Sequence, residues 1–330
     1  MKAFTSFIVV LVLVLVAYAG ASQAPYLFGV VFPYLAVLLF VGGMIYRVLK
    51  WGSSPVPFCI TTTCGQQQSL PWIKQSKLEN PSSTLGVLGR MALEVLFFRS
   101  LFRNLKTQAQ EGIKITYGEA KWLWLAGLAF HWSFLLIFIR HLRFFSEKVP
   151  VPVQMIEAVD SFLQVGRPLL YMTDLVLLAA VVYLFLRRVG LPQVRYISLF
   201  ADYFPLFLIF GIALTGVLMR YFYKTDIVSV KILAMSLISL HPDPTMLGKI
   251  SPIFYMHLFL LSVLFAYFPF SKLVHMGGVF LSPTRNMTGN SRATRHVNPW
   301  NYPVHVHTYE EYENDFRDKM KKAGLPVEKE

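Results

Sequence analysis

Apolar residues run along this chain in blocks too long for a half-buried soluble helix. Six stretches approach the roughly 20 mostly apolar residues that an α-helix needs to cross a bilayer. They are Phe4–Tyr18, Tyr26–Leu49, Trp122–Leu142, Leu169–Leu186, Phe204–Phe222 and Pro252–Val274. The stretch from Lys50 to Lys121 is mixed and polar, and polar residues dominate again after Gly278. The pattern predicts an all-α integral membrane protein with six transmembrane helices. Residues 1–49 form two N-terminal spans, 50–121 a loop, 122–276 a four-helix membrane region and 277–330 a tail. Within the loop, Met91–Leu105 places apolar residues at helical spacing beside Arg90, Arg99 and Arg103. It predicts an amphipathic helix, either lying on the membrane surface or packed under a soluble partner. The first block, Lys2 followed by an apolar run and then Ala17, Ala19 and Ala21, also fits a signal peptide. Its cleavage would leave the topology of the rest unchanged.

Composition agrees with a bilayer as solvent. The 330 residues are 55% hydrophobic and only 15% charged, against about 25% charged in an ordinary soluble domain. The net charge of +13 would suit a nucleic-acid partner, but the charges sit in the segments between apolar blocks, which excludes that reading. Basic residues collect on the cytoplasmic side of a membrane protein. With the N-terminus inside, 23 of the 31 Lys and Arg fall on the inner side. Arg140, Arg143, Lys148, Arg167, Arg220, Lys224, Lys231 and Lys249 fall outside. Both termini are therefore expected in the cytoplasm and the chain in the cytoplasmic (inner) membrane. Cys59 and Cys64, a lone C-x4-C pair, are too few for an iron–sulfur cluster with its four ligands; they read as structural thiols. Nucleotide-binding loops, dinucleotide fingerprints and hydrolase motifs do not occur.

The candidate chemistry lies in the histidines. Four of the eight fall in two spans, His131 and His141 in the third, His257 and His275 in the sixth. An ionisable residue within a span is a functional hypothesis by default, and imidazole is an axial ligand of haem iron. At about 100° per residue, ten residues leave His141 about 80° from His131, while eighteen bring His275 back to the face of His257. The two spans run in opposite directions, so the pairs would be His131 with His275 toward the inside and His141 with His257 toward the outside. Two bis-histidine haems b stacked across the bilayer would form an electron wire. The axial rises disagree, about 15 Å on the third span against about 27 Å on the sixth, and a kink at Pro269 must absorb the difference. The plain alternative is that the histidines hydrogen-bond to neighbours or lie at the interface beside Arg140, Arg143 or Lys272.

Other residues carry two readings each. Arg140, Arg143 and Lys272 either contact haem propionates as charge-assisted pairs or anchor helix ends at the headgroups. Asp174 is either a proton acceptor for a quinol or a carboxylate placed near a helix start, paired with Arg167. His241, in the outer loop LHPDP, either meets a quinone or partner or is a turn residue. His296, His305 and His307 in the tail read as part of a docking surface.

The 10-residue and 18-residue histidine spacings, with FPFSKLVHMGG at Phe268–Gly278 and LSPTRN at Leu281–Asn286, resemble the dihaem b membrane subunit of respiratory nitrate reductases. That likeness implies that five of the six helices form a nitrate-reductase-gamma-like dihaem bundle. The extra first span, the enlarged inner loop and the tail depart from it. Those departures, in TTTCGQQQSLPWIK (Thr61–Lys74), MALEVLFFRSLFRNL (Met91–Leu105) and NPWNYPVHVHTY (Asn298–Tyr309), resemble the DsrM family of membrane haem b subunits from DsrMKJOP complexes of dissimilatory sulfur metabolism. The resemblance implies two haems b with His131, His141, His257 and His275 as axial ligands. It also implies menaquinone or menaquinol as substrate, a cytoplasmic DsrK-like iron–sulfur partner that holds the terminal sulfur chemistry, and periplasmic and membrane partners including a multihaem cytochrome c. The competing readings are a proton-coupled transporter with a histidine relay and a cofactor-free membrane anchor.

Overall fold

The computed structural model describes residues 2–55, 65–110, 114–162, 169–294 and 303–329. Cys59, Cys64, Arg167 and His296 lie outside the described residues. Helices dominate. They are α1 (Lys2–Ala21), α2 (Phe32–Gly52, opened by a π-helical turn at Leu27–Val31), α3 (Thr84–Phe97) and α4 (Arg99–Phe102). A two-stranded antiparallel hairpin follows, β1 (Leu105–Gln110) with β2 (Lys114–Glu119). After it come α5 (Lys121–His141), α6 (Val151–Phe162), α7 (Met172–Gly190), α8 (Pro192–Ile197), α9 (Phe200–Val217) and α10 (Ile227–Ile238). The chain ends with α11 (Pro252–Tyr267), α12 (His275–Gly278), α13 (Pro283–Asn286) and α14 (Tyr309–Lys322).

Among the described residues, five segments are long and apolar enough to cross a membrane: Lys2–Ala21, Leu27–Gly52, Lys121–Phe145, Phe200–Phe222 and Pro252–Phe270. These match five of the six expected spans. The sixth, α7, has the length, 19 residues, but carries Asp174, Arg187 and Arg188. It nevertheless packs lengthwise between α5 and α9. Its buried residues, Asp174, Leu177, Ala180 and Val181, recur at helical spacing and define the face it turns inward.

Lipid tails are as apolar as leucine, so helices in a bilayer associate through close packing rather than hydrophobic burial. α1 buries only the stripe Ser6, Val10, Ala17 and Ala21, against α9 and α11. Small residues set that approach. A Cβ at Gly20 would lie 2.4 Å from the Phe28 ring. One core cluster joins Ala17, Ala21, Phe28, Val230, Leu233, Tyr255 and Phe259. A second joins Val10, Leu177, Val181, Phe204, Leu208, Leu260 and Leu264. The 12-residue α10 belongs to the first cluster, and the Tyr34 hydroxyl donates to its Leu237 carbonyl at 2.9 Å.

The helical membrane fold is as expected, with the β1–β2 hairpin added in the loop before the third span. Two expectations are corrected. The amphipathic helix expected at Met91–Leu105 starts earlier, at Thr84, where Ser83 caps it by accepting the Gly86 N–H; it ends at Phe97, and the chain is already extended by Leu105. The expected sixth span, Pro252–Val274, is not one helix. α11 stops at Tyr267 and gives way to 3-10 turns at Phe268–Phe270 and Lys272–Val274. Proline removes a helix N–H and its ring collides with the carbonyl four residues back, so Pro269 ends the helix.

Candidate functional site

α5 carries His131 and His141, α11 carries His257, and His275 opens α12 beyond the helix break. α5 packs chiefly on α7, whereas α11 packs on α2, α9 and α1. The imidazoles meet in the space between these groups. His141 and His257 lie with ring centroids 6.4 Å apart and planes 11° apart. His131 and His275 lie 6.0 Å apart with planes at 81°. These are the pairs the spacing predicts. The reason for the inner pair differs from the expected one, since His257 and His275 do not share an unbroken helix. Beyond Tyr267 the chain turns, so the 18 residues between them no longer rise about 27 Å.

The hydrogen bonds fix the tautomers. His131 Nδ1 donates to the Gly127 carbonyl at 2.7 Å, His141 Nδ1 to Ile137 at 2.7 Å and His275 Nδ1 to Lys272 at 2.8 Å. A carbonyl can only accept, so each Nδ1 carries the proton. His257 Nδ1 lies 3.0 Å from Thr215 Oγ1. That hydroxyl already donates to the Gly211 carbonyl at 2.8 Å, so it accepts from His257. All four rings thus present an unprotonated Nε2, the state required of a metal ligand, with Nδ1 held by a partner that orients the ring. A histidine nitrogen ligates a metal at about 2 Å. Two imidazoles on opposite sides of one metal ion therefore have centroids about 6.3 Å apart, close to both observed separations. His131, His141 and His275 are exposed and His257 is half-buried, so the rings are accessible to a planar macrocycle between them.

Each pair has its own surroundings. At the inner pair, Trp124 Nε1 donates to the Phe97 carbonyl at 2.7 Å and Trp132 Nε1 to Leu96 at 3.0 Å. These are carbonyls that a helix C-terminus leaves unpaired. Their capping docks α3 on α5 and sets Phe98 edge-on against His131, centroids 4.9 Å apart. Phe98 holds φ 50° and ψ 46°, a left-handed conformation that is a genuine outlier for a bulky residue. The turn bearing His275 is fixed from α2. Arg47 Nε donates to the Pro269 carbonyl at 2.7 Å, and Gly43 lets Pro269 approach so closely that a Cβ there would lie 2.6 Å from the proline. Sequence reasoning missed Phe98, Arg47 and Thr215.

Beside the outer pair lies a buried charge network. Arg140, 8% exposed at its side chain, pairs with Asp160 and, at 2.8 Å, with Asp174. Thr173 donates its hydroxyl to Asp160 at 2.6 Å and Tyr221 donates to Asp174 at 2.7 Å. The Tyr171 ring lies between the guanidinium groups of Arg140 and Arg220, at 4.5 Å and 4.2 Å. Arg143 pairs with Glu157 at 2.5 Å and Lys272 with Asp202 at 2.7 Å. Arg140, Arg143 and Lys272 each hold a carboxylate of the chain itself, which a propionate would have to share. The described partner of Asp174 is Arg140. His241 accepts the turn reading, its Nδ1 bonded to the Ser239 carbonyl at 2.7 Å just after the left-handed Leu240.

A helical membrane protein with two cross-helix imidazole pairs defines a narrow class. Residues 90–290 match the nitrate reductase gamma subunit family, and the chain belongs to that family. The match begins after the first two spans and takes in all four histidines. The chain is 46% identical over 279 residues, 83% of each chain, to the Hdr-like menaquinol oxidoreductase cytochrome b-like subunit of Archaeoglobus fulgidus. It is 40% identical over 284 residues, 84% of each chain, to the protein of the same description from Archaeoglobus profundus.

Proposed function

We propose that this chain is the dihaem cytochrome b subunit of a menaquinol oxidoreductase complex in the cytoplasmic membrane, with both termini in the cytoplasm. The carrying observation is the pair of imidazole couples, each at the separation two axial ligands require and each with Nδ1 committed to a hydrogen bond. The printed descriptions of the two Archaeoglobus relatives support menaquinol as the substrate. Haem b supplies a one-electron couple at each site. His141 and His257 would hold the outer group and His131 and His275 the inner one, and the two groups would supply one-electron couples on either side of the bilayer. Menaquinol oxidation releases two protons with two electrons. Tyr221 would pass its hydroxyl proton to Asp174 Oδ2 as it takes one of the two from the quinol, while Arg140 holds Oδ1, and the second proton would leave to water at the outer surface. Arg140 and Arg143 would share their carboxylate partners with the outer propionates, and Lys272 with the inner ones. The DsrM-like segments support a cytoplasmic DsrK-like iron–sulfur subunit as electron partner, with sulfur chemistry on that subunit, and a periplasmic multihaem cytochrome c among the other subunits.

The test is a dithionite-reduced minus oxidised visible spectrum of the purified chain, with haem quantified per polypeptide. Two haems b are expected, falling to one in His131→Ala or His275→Ala and to one, of the other kind, in His141→Ala or His257→Ala. A folded chain extracted from membranes without haem would overturn the reading and leave the transporter or anchor.

A further inference from the structure

The tail contains a second cluster of ligating side chains, remote in sequence from the membrane histidines. His305 and His307 stand two residues apart in the stretch leading into α14, a spacing that puts side chains on one side of an extended chain. Their rings lie 4.8 Å apart, edge to face. One turn into α14, Glu311 completes a group of three whose ligand atoms all lie within 4.8 Å of one another. Thr308 is the cap. Its hydroxyl accepts the Glu311 N–H at 3.3 Å, and Glu311 Oε2 accepts the Thr308 N–H at 2.9 Å. This reciprocal capping box fixes the carboxylate beside the two rings and leaves Oε1 for another partner.

We propose that His305, His307 and Glu311 form a binding site for a divalent transition-metal ion, Zn²⁺ being the natural occupant. Two imidazoles and one carboxylate are a donor set zinc accepts with water as fourth ligand, and imidazole suits zinc, copper and nickel over magnesium or calcium. Ligands about 2.0–2.2 Å from a tetrahedral ion are roughly 3.4 Å apart. The three donors need to close by at most about 1.4 Å, and all three side chains are exposed, which leaves their rotamers free to do so. Bound metal would clamp the segment before α14 to the first turn of that helix. The helix is already tied at its other side, where buried Glu313 accepts the N–H groups of Glu328 and Lys329 at 2.8 and 2.9 Å. Those bonds, with the Arg317 pairing, hold the Glu313 carboxyl below its ordinary range.

The experiment is isothermal titration of ZnCl₂ into the full chain in detergent, purified without a histidine tag, with bound zinc counted after dialysis. One zinc per chain is expected. His305→Ala and His307→Ala should each weaken binding by at least roughly tenfold, as loss of even an outer-shell partner does. Glu311→Gln, which keeps the capping box because Gln serves at that position, should also weaken it. His241→Ala is the control and should bind as the parent does. An unchanged visible spectrum certifies that each variant is folded. No stoichiometric zinc, zinc retained by His305→Ala and His307→Ala, or zinc unaffected by Glu311→Gln would each overturn the three-ligand site.

Discussion

The two histidine pairs bring the same side chains together in opposite settings. The outer pair joins two uninterrupted helices, its rings nearly parallel, with Thr215 behind His257 and a buried charge network beside His141. The inner pair joins α5 to a short turn beyond a helix break, its rings nearly perpendicular, with an aromatic edge on His131 and, among the described residues, no buried ion pair at the ring. The difference teaches that ligand identity alone does not set a site. The outer rings are positioned by regular helix geometry and the inner ones by a proline, an arginine and a docked helix end. Parallel and perpendicular axial imidazoles give distinct low-spin ferric resonances, so electron paramagnetic resonance of the as-isolated chain should show two signals. One signal type for both sites would remove the contrast.

The largest effect is expected from Pro269→Ala. α11 would run on, the Pro269 carbonyl would leave Arg47 for an intrahelical N–H, and His275 would swing from His131. The chain should keep one haem, with the parallel-ring signature. Retention of both signatures would mean that the packing of α2, not the proline, enforces the break. Next comes Arg140→Ala, which leaves Asp160 and Asp174 buried without their cation. Removing one partner of a buried pair costs about 3–5 kcal/mol, read as a lowered thermal midpoint in detergent and preferential loss of the outer haem. Loss of both signals in parallel would show that the network supports the whole bundle rather than its outer half. Thr215→Val removes the acceptor for His257 Nδ1. Loss of such an outer-shell partner typically costs 10–100-fold in affinity, so outer-site occupancy or midpoint potential should fall with the inner site unmoved. The smallest effect is expected from Phe98→Gly. It relieves the left-handed backbone and removes the ring edge, so the inner signal alone should shift.

Much of this architecture was written in the sequence, for identifiable reasons. Apolar length marks a span wherever it occurs, so five spans are legible to within a few residues, and α7 is legible in spite of its charges. The histidine pairs are legible because imidazoles within apolar spans stand out against their neighbours. The ring positions at His275 were not. A helical wheel assumes a continuous helix, and Pro269 reads as a kink only until Gly43 and Arg47 are seen fixing a full turn. Thr215 and Asp160 were invisible because their partners lie on other helices; alone, each looks like an ordinary polar residue. The β1–β2 hairpin was missed since Leu105–Gln110 and Lys114–Glu119 carry too few apolar residues to announce strands. The start of α3 was recoverable, because Ser83 is a recognisable cap ahead of an apolar run.

His257 and His275 are encoded more than a hundred residues after His141 and His131. Neither site can therefore close while the chain is being made until α11 has left the ribosome. The outer partner emerges first, the inner one only after the break. Each closure spans a long loop, and loop-closure entropy rises only slowly with length, so a cofactor seated between the rings acts as a late cross-link. It would staple α5, which sits on α7, to the α1–α2–α9–α11 group. A cell short of haem would then accumulate a chain whose bundle is joined through α7 but lacks that cross-link.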